Sequence, residues 1–245
     1  KFKLTDDDSS ILAWTTTPWT LPGNVGLAVG PDVTYVKVKV SEVAANWSGA
    51  GGAEIGETMI LAKDLMKEVL RHNVEIIEEF PGSDLVGRAY EPLFPDAVPR
   101  GDSTTAWTVL SADWVTTTDG TGVVHTAVMY GEDDYNLGME VGLPAQHTVG
   151  MDGAFLTGTH PSLDGNYVKD CDSTIIELMH DAGLLYREKM YLHDYPHCWR
   201  TGHPLLYYAM DSWFVKMTAV KEMLLEFNSQ VELSLIHISE PTRPY

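Results

Sequence analysis

The sequence predicts an α+β fold, with a barrel-like β core decorated by a few helices. Three observations carry this. Residues 33–40 alternate Val36, Val38 and Val40 with Lys37 and Lys39, the period-two pattern of a strand with one buried and one wet face. Other short runs rich in apolar, β-branched and aromatic residues lie between Gly, Pro and Asn turns. The helical patterns are few and do not alternate regularly with the strands, so a βαβ sheet is not indicated. A hydrophobic content of 44% over 245 residues can supply a core, in one large domain or one domain plus a fragment.

Residues 11–15, Ile-Leu-Ala-Trp-Thr, read as the first strand. Pro18 cannot donate to a ladder, so this strand is expected to end near Thr16 or Thr17. Pro22-Gly23-Asn24 then turns the chain. Residues 25–29 and 33–40 form two strands around Gly30-Pro31-Asp32, and residues 41–56, with Gly49, Gly51 and Gly52, form a loop or a loosely ordered insertion. Residues 57–72 place Leu61, Leu65 and Val69 at helical spacing beside Ala62, Met66 and Leu70, which predicts an amphipathic helix. Residues 74–80 return as a strand ended by Pro81-Gly82. Residues 107–118 are β-rich, and a tight turn at 119–122 leads into a strand over 123–127. Gly131-Glu132-Asp133-Asp134 opens a helix running to about Gly142, with acids in its first turn and glycine at its end. Asp152-Gly153 and Gly165-Asn166 are turns. Asp172 and Ser173 are expected to cap a helix through Ala182, which Gly183 terminates. There is no internal repeat and no low-complexity tract.

Charge narrows the partners. Lys and Arg number 16 against 35 Asp and Glu, a net charge of −19. A surface built to follow a nucleic-acid backbone wants a basic footprint. If the chain handles RNA, it meets mainly the RNA terminus. No run approaches the ~20 apolar residues of a membrane span, and the acidic start has no signal-peptide core. Two cysteines, Cys171 and Cys198, give no disulfide framework and fit a reducing cytoplasm.

The stretch richest in chemistry is Trp14-Thr15-Thr16-Thr17-Pro18-Trp19-Thr20-Leu21-Pro22-Gly23-Asn24. Its hydroxyls can each donate and accept, which suits a water, a ribose hydroxyl or an ester carbonyl. The plain alternative is a Thr-rich strand ending in a turn. His125 lies at the end of its strand and Asp134 nine residues beyond it. By themselves these are a hydrogen-bonded structural histidine and a helix-start acid, or members of a site. Glu132-Asp133-Asp134 is also a possible hard-metal cluster, although three adjacent acids on one helical turn diverge. His193, His197, Cys198 and His203 form a possible zinc set. No serine sits in a nucleophile elbow.

WTTTPWTLPGN resembles the threonine-rich signature of the editing domain of isoleucyl-tRNA synthetases, class I aminoacyl-tRNA synthetases. The valyl and leucyl relatives carry Arg where this chain has Thr17, and Gly23 stands where Ala is more usual. Residues 85–94 are similar to a further segment of that domain. Gly120-Thr121-Gly122-Val123-Val124-His125-Thr126-Ala127, followed by Asp134, resembles its second motif, with Val128-Met129-Tyr130 departing from the usual link. Residues 193–204 and 212–215 resemble the return toward the catalytic core, with Cys198-Trp199-Arg200-Thr201 where some members have Cys-x-x-Cys, which makes zinc at Cys198 doubtful.

The resemblance implies an editing domain over residues 1–188, a return segment over 189–233, and a non-native tail over 234–245. It implies hydrolysis of valyl-tRNA(Ile) by water attack on the aminoacyl ester, with the tRNA(Ile) acceptor end as partner and valine and isoleucine as the competing amino-acid moieties. Thr15, Thr16 and Thr17 would hold water, ester and ribose. His125 would wall the side-chain pocket, and an ionised Asp134 would pair with the substrate ammonium. Trp14 and Trp19 would shape the adenosine end, while Asn24 fixes the turn or binds substrate. One methylene is worth about 1–3 kcal/mol in an apolar pocket, a general figure for which this enzyme family is itself the standard case, so a second sieve is needed. The fragment needs no cofactor on this reading. The full-length enzyme would use ATP and Mg²⁺ to ligate isoleucine, but neither a His-x-Gly-His element nor a Lys-Met-Ser-Lys-Ser loop occurs here. A cytoplasmic monomer without membrane contact is expected. The alternatives are a non-catalytic module that binds the tRNA 3′ end and a metal-dependent hydrolase.

Overall fold

Alternating valines make the longest ladder. In the computed structural model, which describes residues 1–44 and 51–231, β4 (Thr34–Glu42) buries Val36, Val38 and Val40. It pairs antiparallel with β5 (Thr58–Ala62) on one side and with β6 (Asn73–Pro81) on the other. β1 (Phe2–Lys3) and β2 (Ser9–Ile11) complete a five-stranded mixed sheet in the order β1-β2-β5-β4-β6, with β2 parallel to β5. β3 (Gly26–Val29), β7 (Thr108–Ser111) and β8 (Val123–Thr126) form a second sheet in the order β7-β3-β8, with β3 parallel to β7 and antiparallel to β8.

The two sheets share one core. Ile11, Tyr35 and Ile60 of the first pack with Leu27, Val29, Val109 and Val123 of the second. The fold is α+β as expected, and its β core is a pair of open sheets with no closed barrel. β6 is an edge strand: among the described residues its outer side pairs with no strand, and it carries Glu75, Glu78 and Glu79 there with Ile76 and Ile77 exposed.

Two local expectations are corrected. The helix over 57–72 is instead strand β5, a 3-10 turn at Lys63–Leu65 and one α-turn, α1 (Met66–Val69). A continuous apolar run such as Met59-Ile60-Leu61-Ala62 suits a central strand buried on both faces as well as a helix, and β5 is central. The strand expected over 11–15 stops at Ile11. Thr15 Oγ1 accepts the Thr17 N–H at 3.0 Å, a local bond that competes with the ladder. A 3-10 helix over Pro18–Gly23 follows.

α2 (Glu132–Val141) has its acids in the first turn and ends at Gly142 with φ 74°, as the sequence indicates. α3 (Asp172–Asp181) ends before Gly183, whose φ is +70°. Neither Asp172 nor Ser173 caps it by a side-chain bond; Asp172 lies inside the first turn. Contacts divide the chain into Lys1–Ala209 and Met210–Tyr245. In the second unit α4 (Met217–Ser229) buries no residue of its own. Residues 45–50 of the expected glycine-rich loop and the whole expected tail at 234–245 lie outside the described residues.

Candidate active site

The threonines after β2 form a bonded row. Thr15 Oγ1 and Thr17 Oγ1 lie 3.3 Å apart, and Thr17 Oγ1 lies 3.5 Å from Thr20 Oγ1. The 3-10 turn folds Thr20 back so that both its N–H and its hydroxyl donate to the Thr17 carbonyl, at 3.0 and 2.9 Å. Thr15 and Thr17 are half-buried, Thr16 is exposed and Thr20 is buried.

Thr20 joins this row to β8. Its Oγ1 lies 3.0 Å from His125 Nε2. Since the Thr20 proton goes to the Thr17 carbonyl, its oxygen accepts from the imidazole. The neutral ring then carries its proton on Nε2, and Nδ1 is an acceptor with no partner among the described residues. Burial lowers the His125 pKa from 6.5 to about 4, so the ring is uncharged at neutral pH. β8 holds His125 through antiparallel pairing opposite Leu27.

Two residues further on, the Ala127 N–H donates to Asp134 Oδ2 at 3.4 Å. This fixes the carboxylate over the end of β8. Gly131 leaves it room, since a Cβ there would come within 2.7 Å of Oδ2. Burial raises the Asp134 pKa from 3.8 to about 6, with the Ala127 bond opposing the rise and the charge of Asp133 adding to it. The sequence leads to an ionised Asp134, and here desolvation raises its pKa without neutralising it at pH 7. Asp134 stays mostly ionised at pH 7 and is poised to recover its charge fully beside a cation. Glu132 and Asp133 point to solvent, and no group of three His, Cys, Asp or Glu side chains gathers as a metal set among the described residues.

The other expected site residues fall elsewhere. Trp19 is only 2% exposed; its ring stands edge-on to Tyr130 at 5.2 Å, so it offers no open face to a base and instead underlies the threonine turn. Trp14 is half-exposed, lies over Gly120 and meets Tyr191 edge-on at 5.1 Å. Asn24 is buried: it accepts from Tyr90 Oη at 2.7 Å and donates to the Gly26 carbonyl at 2.9 Å. Of its two expected roles, the geometry favours fixing the turn.

The unusual link 128–130 is a core element. Val128 and Tyr130 are buried in a 3-10 turn, and Tyr130 Oη accepts the N–H groups of Thr148 and Val149 at 2.7 and 3.0 Å. Thr20 is the residue that sequence reasoning left out. The signal was present, as a fourth threonine in the same motif. A cleft of about 1090 Å³ between Lys1, Lys37, Glu57 and His180 shares no residue with this cluster.

No protein-family model matches the chain. Over 232 residues, 94% of the chain, it is 45% identical to an isoleucine–tRNA ligase of Clostridium novyi. The chain is similar over nearly its whole length to isoleucine–tRNA ligases. Over the same length it is 44% identical to the ligase of Clostridium tetani and 41% to that of Bacillus thuringiensis, and it spans 21% of the length of each of these three relatives. Its fold is that of synthetase editing domains. The GlLeuRS CP1 domain superposes with a TM-score of 0.51 at 16% identity, covering 75% of this chain and 87% of that one. The editing domain of the cytosolic leucyl-tRNA synthetase of P. falciparum gives 0.51 at 11%, covering 75% and 81%.

Proposed function

We propose that the chain is the editing part of an isoleucine–tRNA ligase, with the editing domain over residues 1–188 and the return segment over 189–233. It hydrolyses valyl-tRNA(Ile) by direct attack of water on the aminoacyl ester. The observation that carries this reading is the contact between Thr20 and His125, 105 residues apart in sequence. It brings the threonine row and the His–Asp segment, the two stretches that resemble editing motifs, to one place.

The roles follow from the chemistry of each group. The hydroxyls of Thr15, Thr16 and Thr17 orient the water and the ribose and donate hydrogen bonds to the ester oxygen that gains negative charge on attack. His125, neutral and held by Thr20, is a rigid wall for the side-chain pocket and takes no part as an acid. Asp134 pairs with the α-ammonium of the amino acid, which binds the substrate and places its ester over the hydroxyls. The relatives' ligase activity, with its ATP and Mg²⁺, belongs to parts of the protein that this chain does not contain. Neither ATP-binding signature is present, and no step here passes through them.

Deacylation of Val-tRNA(Ile) and Ile-tRNA(Ile) by the purified chain tests the reading. Hydrolysis of the valyl ester well above that of the isoleucyl ester is expected. Asp134→Asn, which keeps an acceptor for the Ala127 N–H but removes the charge, should reduce valyl hydrolysis to background with the melting temperature held or raised. Full activity in that variant rejects the anchor. Binding of the tRNA end without turnover by the unmutated chain would mark it as a binding module.

A further inference from the structure

Trp19 sits between Thr17 and Thr20 in the 3-10 turn, and it is held from outside that turn. Its backbone N–H donates to Asp172 Oδ1 at 3.0 Å, across 153 residues of sequence. Its ring lies under the Lys169 ammonium, 5.5 Å from the ring centre. The same ammonium lies 4.0 Å from the ring centre of Tyr195, and Tyr195 Oη in turn donates to the Leu205 carbonyl at 2.7 Å. The two contacts come from a single stretch, the 3-10 turn Val168–Asp170 and the first residue of α3. Asp172 is thus spent on Trp19 and not on capping its own helix. A half-buried carboxylate in the first turn of one helix that accepts from the backbone of another element sets the position of that element.

Resting on the editing reading above, we propose that Asp172 and Lys169 are positioning residues for hydrolysis. They act through Trp19 on the hydroxyls of Thr17 and Thr20. The Trp19 N–H lies one residue before the Thr20 N–H that closes the turn on Thr17. Releasing it frees the turn to rotate, which moves the Thr17 hydroxyl and the Thr20 oxygen that His125 holds. Lys169 presses the indole down by attraction to its face, at a distance where a cation and an aromatic ring interact. Tyr195 shares the cation, so the segment that leads out of the domain is clipped to the same point. Neither residue needs to touch the substrate. A displacement of about 1 Å in a positioned group costs on the order of a hundredfold in rate.

The test uses the 245-residue chain with valyl-tRNA(Ile). Asp172→Ala should lower kcat about tenfold or more, with KM changed less than about twofold. Asp172→Asn retains an acceptor oxygen and should restore most of that rate. Lys169→Met should lower kcat in the same sense, and Lys169→Arg, which keeps a cation over both rings, should restore it. Amide hydrogen exchange at Trp19 should quicken in Asp172→Ala and not in Asp172→Asn. Two results overturn the inference: deacylation by Asp172→Ala and Lys169→Met within twofold of the unmutated chain, or a rate loss that follows the melting temperature and is not restored by Asn or Arg. An unmutated chain that fails to deacylate overturns the editing reading, and the catalytic half of this inference with it. Trp19 exchange then decides alone whether the anchor holds the turn.

Discussion

His125 and Asp134 are perturbed by the same burial in opposite directions, because burial disfavours the charged form, which is the protonated form of the imidazole and the deprotonated form of the carboxyl. The folded His125 pKa lies below its unfolded value, about 4 against 6.5. Its contribution to stability is complete above pH 6.5 and is lost as pH falls toward 4, about 3 kcal/mol by linkage. The folded Asp134 pKa lies above its unfolded value, about 6 against 3.8. The native state therefore takes up that proton first, and stability is gained as pH falls through 6, by about 2 kcal/mol at pH 4. In the unmutated chain these two contributions largely offset. Urea unfolding at pH 7 and pH 4 separates them: on acidification, His125→Gln should lose less stability than the unmutated chain, and Asp134→Asn should lose more. On the proposed role of Asp134, valyl-ester hydrolysis by the unmutated chain should fall as pH drops through 6, where the carboxylate takes up its proton.

Among the elements, α2 and the 128–130 turn are matched to each other. A Cβ on Gly138 would come within 2.5 Å of Val128 Cγ2. Gly138→Ala should therefore destabilise by about 1–3 kcal/mol through overpacking, and pairing it with Val128→Ala should cost less than the sum of the two. Melting of the two single variants and the double variant measures the coupling. The same level shows what could be read in advance. β4, β6, β8 and α2 were legible because their signals are local: alternation in Val36, Val38 and Val40, acids at 132–134, glycine at 142. β5 was misread because burial on both faces erases alternation. Asp172 was misread as a cap because its partner, Trp19, is remote. The site was legible as two motifs, but their meeting through Thr20 depends on β8 lying beside β3, which no spacing encodes. Trp19, read from its motif as a wall for the adenosine, is buried under the threonine turn, and Asn24 takes the first of its two expected roles by bonding Gly26 and Tyr90.

For the molecule as a whole, a net charge of −19 sets how RNA can be met. Few phosphates can be neutralised by such a surface. The logarithm of valyl-tRNA(Ile) affinity against the logarithm of salt should have a shallow slope, with a magnitude below about 3, because each neutralised phosphate adds about 0.9. Binding titrations between 50 and 200 mM salt (roughly the range over which such slopes are read) check this; a steep slope would mean a basic track that the composition does not show. Acidity has another consequence at β6. Its unpaired side is a ready template for a second copy, and the isoleucines there would favour such a union. Glu75 and Glu78 turn that template against itself, with Glu79 engaged by Lys63 at 2.6 Å, since edge-to-edge docking would bring carboxylates against carboxylates. Removing them by Glu→Gln substitution should yield thioflavin-positive fibrils where the parent stays clear, so the glutamates that catalysis ignores are what keep concentrated protein in solution.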